Sequence, residues 1–159
     1  MRLQIELLVR AIDEAFDTKS WHGTNLRGSL RGLRPQQTLW RPAQGRHNIW
    51  EIVVHAAYWK YIVHRRLTGG KRGRFPLRGS DWFDRKADAP DSDWPRDIRL
   101  LDEMHGKMRA VVVALKDGDL SRYTDKGETT VETLMRGVAA HDLYHAGQIQ
   151  LLKRLYRTR

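Results

Sequence analysis

His141 and His145 stand four residues apart in a stretch free of proline, a spacing that puts both imidazoles on one helix face, one turn apart. Side chains so placed can converge on a single ion, and imidazole nitrogen suits zinc, nickel, iron and copper alike. Read at every third and fourth position, the stretch gives Val131, Leu134, Val138, His141, His145, Gln148, Leu152 and Leu155, an alternating 3,4 stripe with aliphatic ends and a polar centre. Two imidazoles on a buried face cost stability unless something satisfies them. A divalent cation suits the pair best; hydrogen bonds to carbonyls or carboxylates are the plainer alternative. Gln148, one turn past His145, is spaced either to reach a ligand or to support its neighbour.

These residues need a helix to hold them. Thr129 and Glu132 have capping-box spacing, and Lys153, Arg154 and Arg157 gather where a helix C-terminus favours cations, so the last helix is expected from Thr129 to Arg157. A second capping box, Asn48 with Glu51, opens a helix expected to run to about Leu67 and stop at Gly69-Gly70. Its 3,4 stripe is Ile52, His55, Trp59 and Ile62, which supplies a third imidazole. Three histidines from two facing helices leave coordination positions for water or substrate, the pattern of a catalytic rather than a closed structural site.

The remaining chain reads as support. Ile5, Leu8, Ile12, Ala15 and Phe16 predict a first helix over residues 3–17. Residues 21–45, with glycines at 23, 28, 32 and 45 and prolines at 35 and 42, predict an irregular connection. Residues 68–93 form a long polar crossover that Trp82 and Phe83 are expected to pin to the bundle. Ser92 or Asp93 then caps a third long helix, with Pro95 in its first turn and Leu101, Met104, Met108, Val111 and Leu115 on its apolar face. Asp117-Gly118-Asp119 ends it, and a loop through Gly127 leads onward. No run alternates with strand period. The expectation is one all-α domain over residues 1–159, a four-helix bundle with a long crossover connection between its second and third helices.

Composition narrows the chemistry. The 159 residues contain no cysteine, so disulfides and thiolate ligands are excluded. No stretch approaches the length of a membrane span, and the apolar run at the N-terminus is short and interrupted by Glu6. A soluble, cytoplasmic protein is expected. The net charge is +10, and residues 60–78 hold seven Lys or Arg and no acid. Such a block can attract nucleic acid or an acidic partner, but no nucleic-acid motif accompanies it, so a solvated loop is the reading preferred. His141-Asp142-Leu143-Tyr144-His145 also resembles a zinc-protease pattern with Asp in place of Glu. No Asp, Glu or His follows His145 to complete that site, and Asp142 lies one residue off the stripe, where solvent is expected.

Trp21-His22-Gly23, Arg41-Pro42, the run Gly45-Arg46-His47-Asn48-Ile49-Trp50-Glu51-Ile52-Val53-Val54-His55 and the run His141-Asp142-Leu143-Tyr144-His145-Ala146-Gly147-Gln148-Ile149 together resemble the DinB-like (YfiT-like) metalloenzymes. The resemblance spans nearly the whole chain. It implies a four-helix bundle, commonly a homodimer, with a divalent metal held by His55, His141 and His145. It also implies a small-molecule substrate. Characterised members transfer low-molecular-weight thiols to electrophiles or use them in isomerisation. Zinc and nickel head the candidate metals, with iron, manganese and copper open. Catalytic candidates are Gln148 and His22, the latter as a proton shuttle or further ligand. His105 reads as structural, His47 and His64 as surface, and Trp59 as core or pocket wall. The competing functions are a metal-dependent thiol transferase, a metal-dependent hydrolase using an activated water, and a noncatalytic basic module binding an acidic partner or nucleic acid.

Overall fold

A computed structural model describes residues 3–124 and 128–159. Among them lie six α-helices, four of them long: α1 (Leu3–Phe16), α2 (Leu26–Ser29), α3 (Pro35–Leu39), α4 (Ile49–Thr68), α5 (Asp93–Ala114) and α6 (Val131–Arg157). A single turn of 3₁₀ helix covers Asp117–Asp119. The all-α bundle with a long crossover between α4 and α5 is as expected, while α2 and α3 are short helices inside the stretch read as irregular. Gly127 lies outside the described residues. Among the described residues, no helix is long and apolar enough to cross a membrane.

Local chemistry explains the boundaries of α4. Asn48 accepts a hydrogen bond from the Glu51 amide at 2.8 Å, and the Glu51 carboxylate faces the Asn48 amide in return. At the other end Gly69 adopts φ 66°, a left-handed cap that a side chain resists, and donates to Arg65. The start of α6 differs from expectation by one residue. Thr130, not Thr129, is the cap, its hydroxyl accepting from the Thr133 amide at 3.2 Å, while the Thr129 carbonyl accepts from Thr124. Ser92 precedes α5 but makes no capping bond.

The bundle is built around α4, which packs on both α5 and α6, while α1 packs on α6 and α5. Every residue from Ile49 to Ala57 is buried, because neighbours surround that half of the helix. Phe83 is buried in the same core and Trp82 packs against it, so the crossover is pinned as expected. One apolar cluster gathers Trp50, Val53, Leu101 and Ile149; a second gathers Ile12, Val63, Met108 and Met135.

Between the two clusters, by position along the helices, runs a polar layer. Lys60 of α4 and Asp142 of α6 form an ion pair with side chains 0% and 1% exposed. Two expectations fail here. Asp142 is not solvated, and the basic block that starts at Lys60 is not wholly a solvated loop, since Lys60 and Arg65 are buried. The cause is the register of α6. Its buried positions are Val131, Met135, Val138, Ala139, Asp142, His145, Ala146, Ile149 and Leu152. α6 meets α1, α2 and α4 together, so its buried face is wider than a 3,4 stripe and centred beside it. Leu155 is 41% exposed, and His141 and Gln148 lie half-buried at the edge.

His105 belongs to the same layer and is structural, as expected. Its ring stacks on Phe16 at 3.6 Å, and its Nδ1 is buried without a partner. Burial, with Lys60 and Arg109 nearby, holds its pKa at about 3. The unfolded chain takes up this proton near the ordinary pKa of 6.5, the folded one only near 3. Between those values the unfolded state binds more protons, so His105 makes stability fall as pH falls. His105→Leu is expected to narrow the loss in urea midpoint between about pH 7 and about pH 5. An identical pH dependence in variant and wild type would refute this.

Candidate metal centre

α4 carries His55 and α6 carries His141 and His145 to one point. His141 Nε2 lies 3.1 Å from His55 Nε2 and 3.1 Å from His145 Nε2. The three ligand atoms all fall within 4.8 Å of one another, and His55 and His145 are buried.

The outward-facing nitrogens decide what these inner atoms carry. His55 Nδ1 donates to the Asp81 carbonyl at 2.9 Å. His145 Nδ1 donates to Gln148 Oε1 at 2.7 Å, and Gln148 Nε2 donates to the Tyr144 hydroxyl at 3.1 Å, which orients the amide. Both rings therefore turn an Nε2 lone pair toward His141 Nε2, which has at most one proton to give. At least one pair of nitrogens meets lone pair to lone pair. Protonation does not relieve this near neutrality, because burial lowers all three pKa values. His141 is held at about 3, with the neighbouring imidazoles and Lys60 adding to the effect. His145 is held at about 4 even though the Gln148 bond opposes burial, and His55 is lowered although Asp81 opposes it. A divalent cation accepts three lone pairs at once. Metal–imidazole bonds of about 2.0–2.1 Å at 90–109° place nitrogens roughly 2.8–3.4 Å apart, which the 3.1 Å separations match. The three histidines can hold a metal ion.

Residues not marked by the sequence stripes support the centre. Asp81 adopts φ 63°, rare for a side chain other than glycine, and in doing so aims its carbonyl at His55. Its carboxylate accepts from Trp59 Nε1 at 2.8 Å and lies 3.3 Å from His55 Nδ1. Trp82 stacks on the His55 ring at 3.9 Å and on the His47 ring at 3.5 Å, both nearly parallel, so the indole lies between the two imidazoles. Within the crossover, only the aromatic pair Trp82-Phe83 signalled contact with the bundle; nothing in Gly79-Ser80-Asp81 identified the turn.

His47 is exposed, in keeping with its surface reading, yet its ring makes contacts that reading did not include. Its Nδ1 donates to Glu51 at 3.0 Å, and its ring lines a cavity of about 530 Å³ together with Trp82, Tyr144, His145 and Gln148. Burial would raise the Glu51 carboxyl, but Arg41, the Arg85 amide and His47 outweigh it and hold the pKa at about 2. Glu51 is thus a fixed anion that orients His47. His22, in contrast, is exposed, bonded to Ser20 at 2.9 Å, and outside the three-histidine group. His64 is half-buried on α4.

The group consists of three imidazoles, with no fourth His or carboxylate ligand among the described residues. A cation bound there would keep positions open toward the cavity that His145 lines. No curated protein matches the chain. The family model of the DinB superfamily matches residues 20–149, from the loop before α2 to the turn of α6 beyond His145 and Gln148, and the chain belongs to that metal-binding superfamily.

Proposed function

We propose that this protein is a metal-dependent enzyme that conjugates a low-molecular-weight thiol to an electrophilic small molecule. The observation that carries the reading is the convergence of three Nε2 atoms beside a cavity, with the tautomers of His55 and His145 set by Asp81 and Gln148. A divalent ion held there, zinc or nickel before other metals, supplies Lewis acidity that lowers the pKa of a coordinated thiol.

The chain's own residues do the rest. His47 keeps its proton on Nδ1 toward Glu51, which leaves Nε2 to accept the thiol proton. The sulfur forms its bond to the electrophilic carbon, and the proton on His47 passes to the departing group or to the adduct. Gln148 and Tyr144 hold His145 in orientation, and Ile52, Leu151 and Leu152 give the cavity an apolar side that limits water. The same site would serve a hydrolase, with water in place of the thiol; dependence on thiol separates the two.

The experiment measures conjugation of monobromobimane to cysteine by the metal-loaded protein. Thiol-dependent turnover that chelation abolishes is expected. His47→Asn should retain metal and lose about a hundredfold in kcat, whereas His22→Asn should match wild type. Turnover that survives chelation, or hydrolysis of an ester without thiol, would replace this reading.

A further inference from the structure

A cavity larger than the one beside the metal centre, about 850 Å³, lies between α4 and residues 72–81 of the crossover, within the size range of small-molecule sites. Tyr58, Tyr61 and Phe75 form an aromatic wall, with ring centroids 5.3–6.1 Å apart. Arg65 and Arg66 reach it from α4, and Arg72 and Arg78 reach it from the crossover. Arg66 Nε is buried without a partner, and Arg66, Arg72 and Arg78 are in no ion pair among the described residues. Asp81 is the one carboxylate in the lining, and Trp59 and His55 already engage it. Residues 60–78 contain no other acid to neutralise the site.

Arg66, Arg72 and Arg78, lining an aromatic-walled cavity whose one carboxylate is already engaged, are complementary to a ligand of opposite charge. Guanidinium groups pair with carboxylate and phosphate oxygens, and aromatic rings cover a flat, apolar body. We infer that this cavity binds a small oxyanion-bearing molecule, carrying two or more carboxylate or phosphate charges on a flat group, at a site separate from the three histidines. Trp59 and Asp81 form the partition between the two: both line the cavity, and Asp81 also bonds His55. The basic block thereby gains a role that its charge alone did not specify.

The test is calorimetric titration of the full-length, metal-loaded protein with trimellitate, with inorganic pyrophosphate, with benzyl alcohol and with a short single-stranded oligonucleotide. Saturable one-to-one binding of trimellitate, of pyrophosphate or of both is expected, and the stronger of the two names the source of the anion. Benzyl alcohol should not bind. Arg66→Gln should weaken the anion about tenfold or more, and the pair R72Q/R78Q likewise, with the circular dichroism spectrum unchanged. His141→Ala should bind the anion as wild type does, which separates this site from the metal centre. Absence of saturation at about 10 mM, affinity indifferent to Arg66→Gln, or binding lost in His141→Ala would each overturn the inference. Tighter binding of the oligonucleotide than of trimellitate, with steep salt dependence, would overturn it in favour of a nucleic-acid surface.

Discussion

Replacing His141 by alanine is expected to abolish stoichiometric retention of a divalent ion while leaving the bundle folded. His141 Nε2 is the central atom of the trio, 3.1 Å from each of the other two, and His141 sits half-buried at the edge of the α6 core face, not within it. Its removal takes away one ligand and the lone-pair contact that burdens the metal-free site. In wild type, zinc at about a hundred times its dissociation constant should add about 2.7 kcal/mol of stability, since it binds only the folded state. The variant should gain almost none. His55→Ala and His145→Ala should behave alike toward metal, with more loss of stability because both side chains are buried. Gln148→Leu frees the His145 ring without removing a ligand, so a weakening of about 10–100-fold is expected. Elemental analysis after dialysis, with melting curves at graded zinc, decides the series. Equimolar metal in His141→Ala would show that the trio is not the site.

Lys60→Met is expected to cost about 3–5 kcal/mol of stability. The substitution fills the volume of the lysine stem but leaves Asp142 fully buried with no cation. One Asp142 oxygen already has no partner, and burial raises the Asp142 pKa even with Lys60 beside it. Without Lys60, folding above the unfolded pKa of about 3.9 must take up a proton or bury a bare charge. The deficit relative to wild type should therefore shrink as pH falls toward that value. The double variant K60M/D142L removes both charges, and apolar side chains of similar volume fit a layer already bounded by two hydrophobic clusters. It should recover most of the loss. Urea midpoints of the two single variants and the double variant test this; strict additivity would show that the pair is not coupled.

Both predictions concern neighbours on α6, and they mark how far periodicity reaches. A 3,4 count placed His141 and His145 on one helix face and His55 on another, and capping boxes set the frame of both helices. Those signals are local: side-chain direction in a helix repeats every 3.6 residues whatever surrounds it. They could not say where on its circumference α6 would meet its neighbours. Contact with three helices shifted the buried face onto Asp142, which forced a carboxylate into the core opposite Lys60 and left His141 and Gln148 at the rim. That shift is what opens the trio to a cavity instead of sealing it.

The supports of the site were harder to read because they cross long stretches of chain. Asp81 is 26 residues from His55, in a turn without periodicity, and acts through a main-chain carbonyl that any residue type possesses. His47 looked like the flank of a helix cap, which it is; its place beside the three-histidine group arises because Trp82, brought in by the crossover, stacks on both His47 and His55.

The sequence by itself determined the helical class, the long crossover, the boundaries of α4 and the three imidazoles, since each depends on residue type at short fixed spacing. Only the tertiary structure decided which imidazoles line the cavity at the three-histidine group, which charges are buried, and that arginines of the basic block line a second cavity. Such pairings form between segments far apart in the chain, and no short-range pattern encodes the distance between them.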